Sequence, residues 1–360
     1  MEGKVRKMFP GGNTSKGFKS FFDYVIPKDV NIIYCMKGGP GVGKSSLMKK
    51  VAKEMIEKGY DVDLYPCSSD PESLDVIVIK KLGVVMLDAT APHIVDPKNP
   101  GAIDEILDLG RFWNRKEIEL NKEDVIKCNK EVSRFFKIGF TYFEAAAPIA
   151  YDIESKNLDS MNFGEVNLVT AKLIEDIFKN IEPSNEYKTP IHLFGSALSP
   201  LGHVEYTDTI IGDIGEIYYL NGDLGTGKST LLKKVADRAI ENGIGVEIFH
   251  APLLPEKIET IVIKDLDIAI TTSSLFKENN FKEINLNIFR DKEKHLKYKE
   301  ELEYSNKVLE KLVDHGLLNI KKAKEEHDKL EKYYIPNMNF DEVNNLKEIL
   351  VNKILEYNKN

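Results

Sequence analysis

The chain has 360 residues, of which 42% are hydrophobic and 30% charged, with a formal net charge of −8. That length holds two domains of ordinary core size, and the acidic balance argues against a dedicated nucleic-acid binder. No run approaches the ~20 apolar residues of a membrane span, and the opening Met-Glu-Gly-Lys lacks the apolar stretch of a signal peptide, so no membrane partner and a cytoplasmic location are expected. Cys35, Cys67 and Cys128 are odd in number and without C-x-x-C spacing, and the histidines are dispersed, which predicts reduced thiols and no structural metal.

After a lead-in to about residue 29, Val30 to Met36 is an apolar, β-favouring run that opens into Gly38-Gly39-Pro40-Gly41-Val42-Gly43-Lys44-Ser45, followed by Ser46. Leu47, Met48, Val51, Ala52, Met55 and Ile56 then recur at helical spacing. Strand, glycine loop and helix in this order give the G-x-x-x-x-G-K-S pattern its mechanism. Glycines let successive backbone N–H groups converge on phosphate oxygens, and the helix N-terminus adds free donors and a favourable dipole. The lysine reaches the β- and γ-phosphates while the serine hydroxyl ligates Mg²⁺. Residues 38–46 are therefore expected to bind a nucleoside triphosphate.

Asp61 to Pro66 reads as a short strand, and Leu74 to Ile79 with Val84 to Leu87 as two strands joined at Lys80-Lys81-Leu82-Gly83. The second of these ends in Asp88, an acid at the carboxyl end of a strand, where ligands of open α/β sheets bind. Lys44 and Asp88 are the expected catalytic residues, and Ser45 and Asp88 the expected Mg²⁺ ligands; a cap or loop aspartate is the structural alternative for Asp88. Asp70 and Glu72 are candidates for a general base in a segment that also reads as a turn, and His93 is a candidate for contact with the γ-phosphate or an acceptor. Residues 115–180 are rich in Glu, Lys and Leu and predict a helical part, with Gly139 marking either a break or a mid-helix glycine.

The pattern returns as Gly222-Asp223-Leu224-Gly225-Thr226-Gly227-Lys228-Ser229, followed by Thr230, with Gly215 to Leu220 as the preceding strand. The lysines are 184 residues apart (228 − 44), and residues 34–82 match 218–266 at 22 of 49 positions. Farther on, Gly139 pairs with Gly316 and Met161-Asn162-Phe163 with Met338-Asn339-Phe340 at an offset of 177, so a whole domain is duplicated. Two tandem α/β domains with mostly parallel sheets flanked by helices follow, residues 1–184 and 185–360, each with a helical part, the second over about 290–358. A pseudo-dimer of the halves is a natural arrangement for such a repeat. Thr272 stands where Asp88 stands in the first copy, so the first half reads as catalytic and the second, with Ser229 for Mg²⁺, as a binding or regulatory half. A transition-state arginine is sought in Arg111, Arg115 or, across the pseudo-dimer, Arg290.

With these residues in view, the chain resembles the P-loop NTPase superfamily and, more closely, a little-characterised bacterial family of tandem P-loop ATPase-like proteins. The two Walker A loops carry the first resemblance. The second rests on Phe9 to Phe18, Asp88 to His93, Asp104-Glu105 through Gly110 to Trp113, and Phe194-Gly195-Ser196-Ala197 through Pro200 and Gly202. Membership implies ATP binding and hydrolysis; the two loops themselves call for Mg²⁺ and for ATP at two sites, and any protein partner or acceptor is left unnamed. A small-molecule or nucleotide kinase and a non-hydrolysing nucleotide sensor are the alternatives. No guanine-reading N-K-x-D motif is evident, which leaves ATP as the default nucleotide.

Overall fold

The computed structural model describes residues 2–90, 96–277 and 281–359. In the first half, strands β1 (Val5–Lys7), β4 (Ile32–Lys37), β5 (Val62–Cys67), β6 (Asp70–Ile79), β7 (Val84–Asp88) and β8 (Asp104–Asp108) form one sheet in the order β1-β5-β6-β7-β4-β8. Strand β6 runs antiparallel to both neighbours, and the remaining pairs are parallel. The hairpin β2 (Gly11–Thr14) and β3 (Gly17–Ser20) stands apart from it. The second half repeats the plan. A hairpin of β10 (Ser196–Ser199) and β11 (Gly202–Glu205) accompanies a six-stranded sheet of β9 (Ile191–Phe194), β12 (Glu216–Asn221), β13 (Glu247–His250), β14 (Ile258–Ile263), β15 (Ile268–Thr271) and β16 (Lys282–Asn285), in the order β9-β13-β14-β15-β12-β16. The expected α/β architecture of two similar halves is present. The change of offset from 184 to 177 falls between β7 and β8, because Asp108 and Asn285 already end matched strands 177 residues apart.

The strands are apolar on both faces because both faces are covered. Ile33, Cys35, Val76, Val78, Val85 and Leu87 meet Tyr219, Phe249, Val262 and Ala269 of the other sheet in a central core. Their alternate neighbours Tyr34, Met36, Ile77, Ile79, Val84 and Met86 face helix α1 (Lys44–Glu57), and the second sheet does the same with α6 (Lys228–Glu241). The halves join across a pseudo-twofold axis. Phe9 and Phe194, equivalent residues of the repeat, exchange both backbone hydrogen bonds at 2.9 and 3.1 Å. Beside them Arg6 donates to Glu247 at 2.5 Å and lies 4.0 Å from Asp63, Lys264 reaches Glu247 at 2.5 Å, and Lys80 reaches Asp63 at 2.8 Å. Burial works against the charge on Glu247, but Arg6 and Lys264 outweigh it and hold the carboxyl down at about 2.

The helical parts are exchanged. Short α2 (Arg115–Glu119) leads into α3 (Lys122–Asp159) and α4 (Phe163–Phe178); after α5 (Thr207–Ile211) and α6, the equivalents are α7 (Lys292–Lys297), α8 (Lys299–Tyr334) and α9 (Phe340–Glu356). Helices α3 and α8, about 57 and about 54 Å long at helical rise, pack antiparallel, with Lys156 3.3 Å from Glu301 and Ser305 hydrogen-bonded to Asp152 at 3.0 Å. Gly139 and Gly316 lie mid-helix at their crossing, not at a break. A Cβ on Gly139 would stand 2.8 Å from Ile320, and one on Gly316 would collide with the Phe143 ring. Beyond the crossing, α4 of the first half buries Val166, Leu173 and Ile177 against Leu231, Leu232 and Val235 of α6. Helix α9 of the second half likewise buries Val343, Leu350 and Ile354 against Leu47, Met48 and Val51 of α1. The boundary at residues 184 and 185 marks the repeat in the sequence, whereas the cores are completed across it.

Gly316→Ala is expected to destabilise the chain by about 1–3 kcal/mol through overpacking against Phe143, and adding Phe143→Leu to recover part of that loss. Denaturant titration of the single and double variants checks this; a stabilising Gly316→Ala would contradict the close crossing. Arg6→Ala, which removes one partner from a buried ion pair, is expected to cost about 3 kcal/mol, read by the same titration.

Candidate functional site

Each glycine loop sits at the carboxyl end of its strand, β4 or β12, and the following helix starts at the loop lysine. Gly43 and Gly227 hold φ of 91° and 99°, a conformation that side chains rarely adopt, and so turn the chain into the helix. Lys44 Nζ donates to the carbonyls of Gly38 at 2.8 Å and Gly39 at 3.2 Å, and it lies 3.3 Å from Asp88. Lys228 Nζ donates to the carbonyls of Gly222 and, at 2.9 Å, Asp223. Burial lowers the Lys228 pKa, partly offset by Asp223 and Glu259. Ser45 Oγ accepts from the Leu74 N–H and Ser229 Oγ from the equivalent Ile258 N–H, both at 2.9 Å. The loop residues singled out in the sequence thus form two matched turns around a lysine and a serine, with Ser46 and Thr230 in the first helical turn.

Asp88 sits where its strand predicts and also serves as a local cap: Oδ1 accepts from the Thr90 N–H at 2.9 Å and its hydroxyl at 2.5 Å. A further acid was hidden in the apolar run of the preceding strand. Val76 lies opposite Leu87, which sets Asp75 opposite Asp88. Burial, reinforced by Asp88, pushes the Asp75 carboxyl up to about 8. The matched position of the repeat (75 + 184) is Glu259, across from Thr272, whose N–H bonds the Glu259 carbonyl at 2.8 Å. The second half therefore does have an acid beside its loop, one strand over from the expected place. Half-buried Glu259 accepts from Ser196 at 3.1 Å, and its surroundings raise it to about 7, burial being the largest cause. An acid kept at the same place in two apolar strands was the signal available in the sequence.

Other candidates fall elsewhere. Asp70 is 3.5 Å from Lys324 of α8, and Glu72 is exposed at the start of β6. His93 lies outside the described residues. Arg111 stacks on Phe112 at 4.6 Å and Arg115 pairs with Glu119 at 2.8 Å. Arg290 sits beside the loop of its own half, donating to Asp223 at 2.8 Å and Asn287 at 2.7 Å.

What the sequence did not disclose is that each loop is roofed by the opposite half. Cβ atoms on Gly39 and Gly41 would stand 3.1 Å from Tyr334 and 2.8 Å from Ile335, at the end of α8. At the second loop, Asn157 of α3 donates to the Leu224 carbonyl at 2.8 Å, and a Cβ on Gly225 would collide with the Glu154 carbonyl. Lys50 reaches Asn344 at 2.7 Å and Lys234 reaches Asn167 at 2.9 Å, again across the halves.

The raised Glu259 carboxyl has a testable sign. Below its ordinary value of 4.5 it is protonated folded or unfolded; between there and about 7 only the unfolded chain releases the proton, so its contribution to stability is lost as pH rises through that window. Glu259→Gln is expected to remove this decline, so that the variant gains on the parent between about pH 5 and about pH 8, as read by denaturant titration at both values; an unchanged difference would contradict the assignment.

Comparison with protein-family models, with curated proteins and with solved structures gives no match to the chain.

Proposed function

We propose that the chain binds Mg-ATP at both glycine loops and hydrolyses it at the first. The observation that carries this reading is the pair of matched loops, each with a left-handed glycine leading into a helix N-terminus and a lysine folded onto the loop's own carbonyls. Backbone N–H groups of such a turn are suited to phosphate oxygens. Lys44 would exchange the Gly38 and Gly39 carbonyls for the phosphates, offsetting charge as it develops in the transition state.

The residues present also fit a Mg²⁺ ion. Ser45 Oγ, after accepting one backbone bond, retains a lone pair, and Asp88 supplies a carboxylate, both hard oxygen donors. Bound there, the ion would neutralise charge on the phosphate oxygens. Asp75, buried opposite Asp88, places a second carboxyl behind the strand-end acid. In the second half Ser229 and Glu259 stand in for this set, but Thr272 replaces the strand-end acid. That difference favours chemistry in the first half and binding in the second.

Phosphate release from Mg-ATP, measured together with the number of nucleotides bound per chain, tests the reading. Lys44→Ala and Asp88→Asn are expected to lower turnover by on the order of 100-fold. Lys228→Ala should reduce bound nucleotide from two to one while turnover stays within about threefold. Equal losses from Lys44→Ala and Lys228→Ala would overturn the division between the halves, and tight binding without phosphate release would overturn hydrolysis.

A further inference from the structure

The two halves differ most in what stands beside the loop. At the first, Trp113 and Tyr334 pack ring against ring, centroids 5.9 Å apart, and both close on Gly39, 3.3 and 3.1 Å from where its Cβ would be. The recess of about 710 Å³ on the outer side of Trp113 has no residue of the first loop in its wall. In the repeat, Trp113 corresponds to Arg290 and Tyr334 to Asn157, each 177 residues away; the bridges Trp113 to Met338 and Met161 to Arg290 confirm the match. At the second loop, where the rings would be, a cavity of about 990 Å³ opens against Asp223 and Leu224.

Its wall is mixed in character. Ile153, Ile288, Leu296 and Leu302 provide apolar surface, while Arg290 and His295 bring hydrogen-bonding groups. Arg290 also lies 3.3 Å from His295 Nε2, so the two side chains are fixed against each other at this wall. The guanidinium is held flat by Asp223 and Asn287, and such a plane stacks well on aromatic rings. A volume near 1,000 Å³ with a few convergent polar groups is the size and make-up of a small-molecule site.

We propose that this cavity receives the heteroaromatic ring and sugar of a nucleotide whose phosphates lie in the second loop, the ring stacking on Arg290 where the first half places its own Trp113 and Tyr334. The inference rests on the reading of the second loop as a phosphate site. It makes the second half the one that distinguishes a nucleotide from a bare polyphosphate, while the first half fills the corresponding space with its own side chains.

Calorimetric titration of the full chain carrying Lys44→Ala, which leaves the second loop intact, with ATP and with inorganic tripolyphosphate separates the two readings. ATP is expected to bind at least about tenfold tighter, the scale of one base stacked on a side chain. Asn306→Trp, at an exposed α8 position of the cavity wall whose side chain donates to the Leu302 carbonyl of its own helix, should weaken ATP by about the same factor and leave tripolyphosphate within about twofold. Arg290→Lys keeps the charge but removes the plane, and should act in the same sense. Equal affinity for ATP and tripolyphosphate, or ATP binding indifferent to both substitutions, overturns the ring site alone. Failure of both probes to bind overturns the phosphate-loop reading beneath it.

Discussion

The close crossing of α3 over α8 is the constraint on which the rest of the architecture depends. Glycine weakens an isolated helix by about 1 kcal/mol relative to alanine, yet Gly139 and Gly316 sit mid-helix because any side chain there would meet Ile320 or Phe143. With the helices this near, each runs from one half to the other and delivers its last turn to the opposite loop. The short helix that follows, α4 or α9, is then committed to covering the other half's α6 or α1. Apolar burial on that scale is the dominant favourable term in folding, so neither half holds a finished core of its own.

The central core supplies the second tie. The inner faces of both sheets are apolar and share one cluster, and around the axis Phe9 pairs with its own counterpart Phe194. Arg6 next to it faces two carboxylates, Asp63 and Glu247, that are equivalent in the repeat, and each of these has its own lysine, Lys80 or Lys264. A single cation from the first half thus serves a pair of symmetry-related anions, so the duplication is symmetric in its scaffold and asymmetric in its details.

The same holds around the loops. The backbone turns, the lysines and the serine-to-strand hydrogen bonds are duplicated nearly atom for atom, since they follow from a short contiguous motif between a strand and a helix. The groups that differ come from outside it. Asp88 is opposed by Thr272, Asp75 by Glu259, and the pair Trp113 and Tyr334 by Arg290 and Asn157. Two copies of one glycine-loop turn are in this way given different electrostatic surroundings and different neighbouring space.

Much of this was legible beforehand where the information is local. A strand, a glycine loop and a helix in succession, the hairpin-like strand pair ending at Asp88, and the repeat itself all follow from apolar periodicity and from side chains adjacent in the chain. Asp75 and Glu259 were also present as acids within apolar runs, although their meaning depends on the tertiary surroundings, which raise both chiefly by burial. The sequence by itself determined the elements, the two loops and their kinship. Only the tertiary structure decided that Tyr334 and Ile335 belong to the first loop and Asn157 and Glu154 to the second, because periodicity records which face of a helix is apolar and not which of two equivalent partners that face will cover.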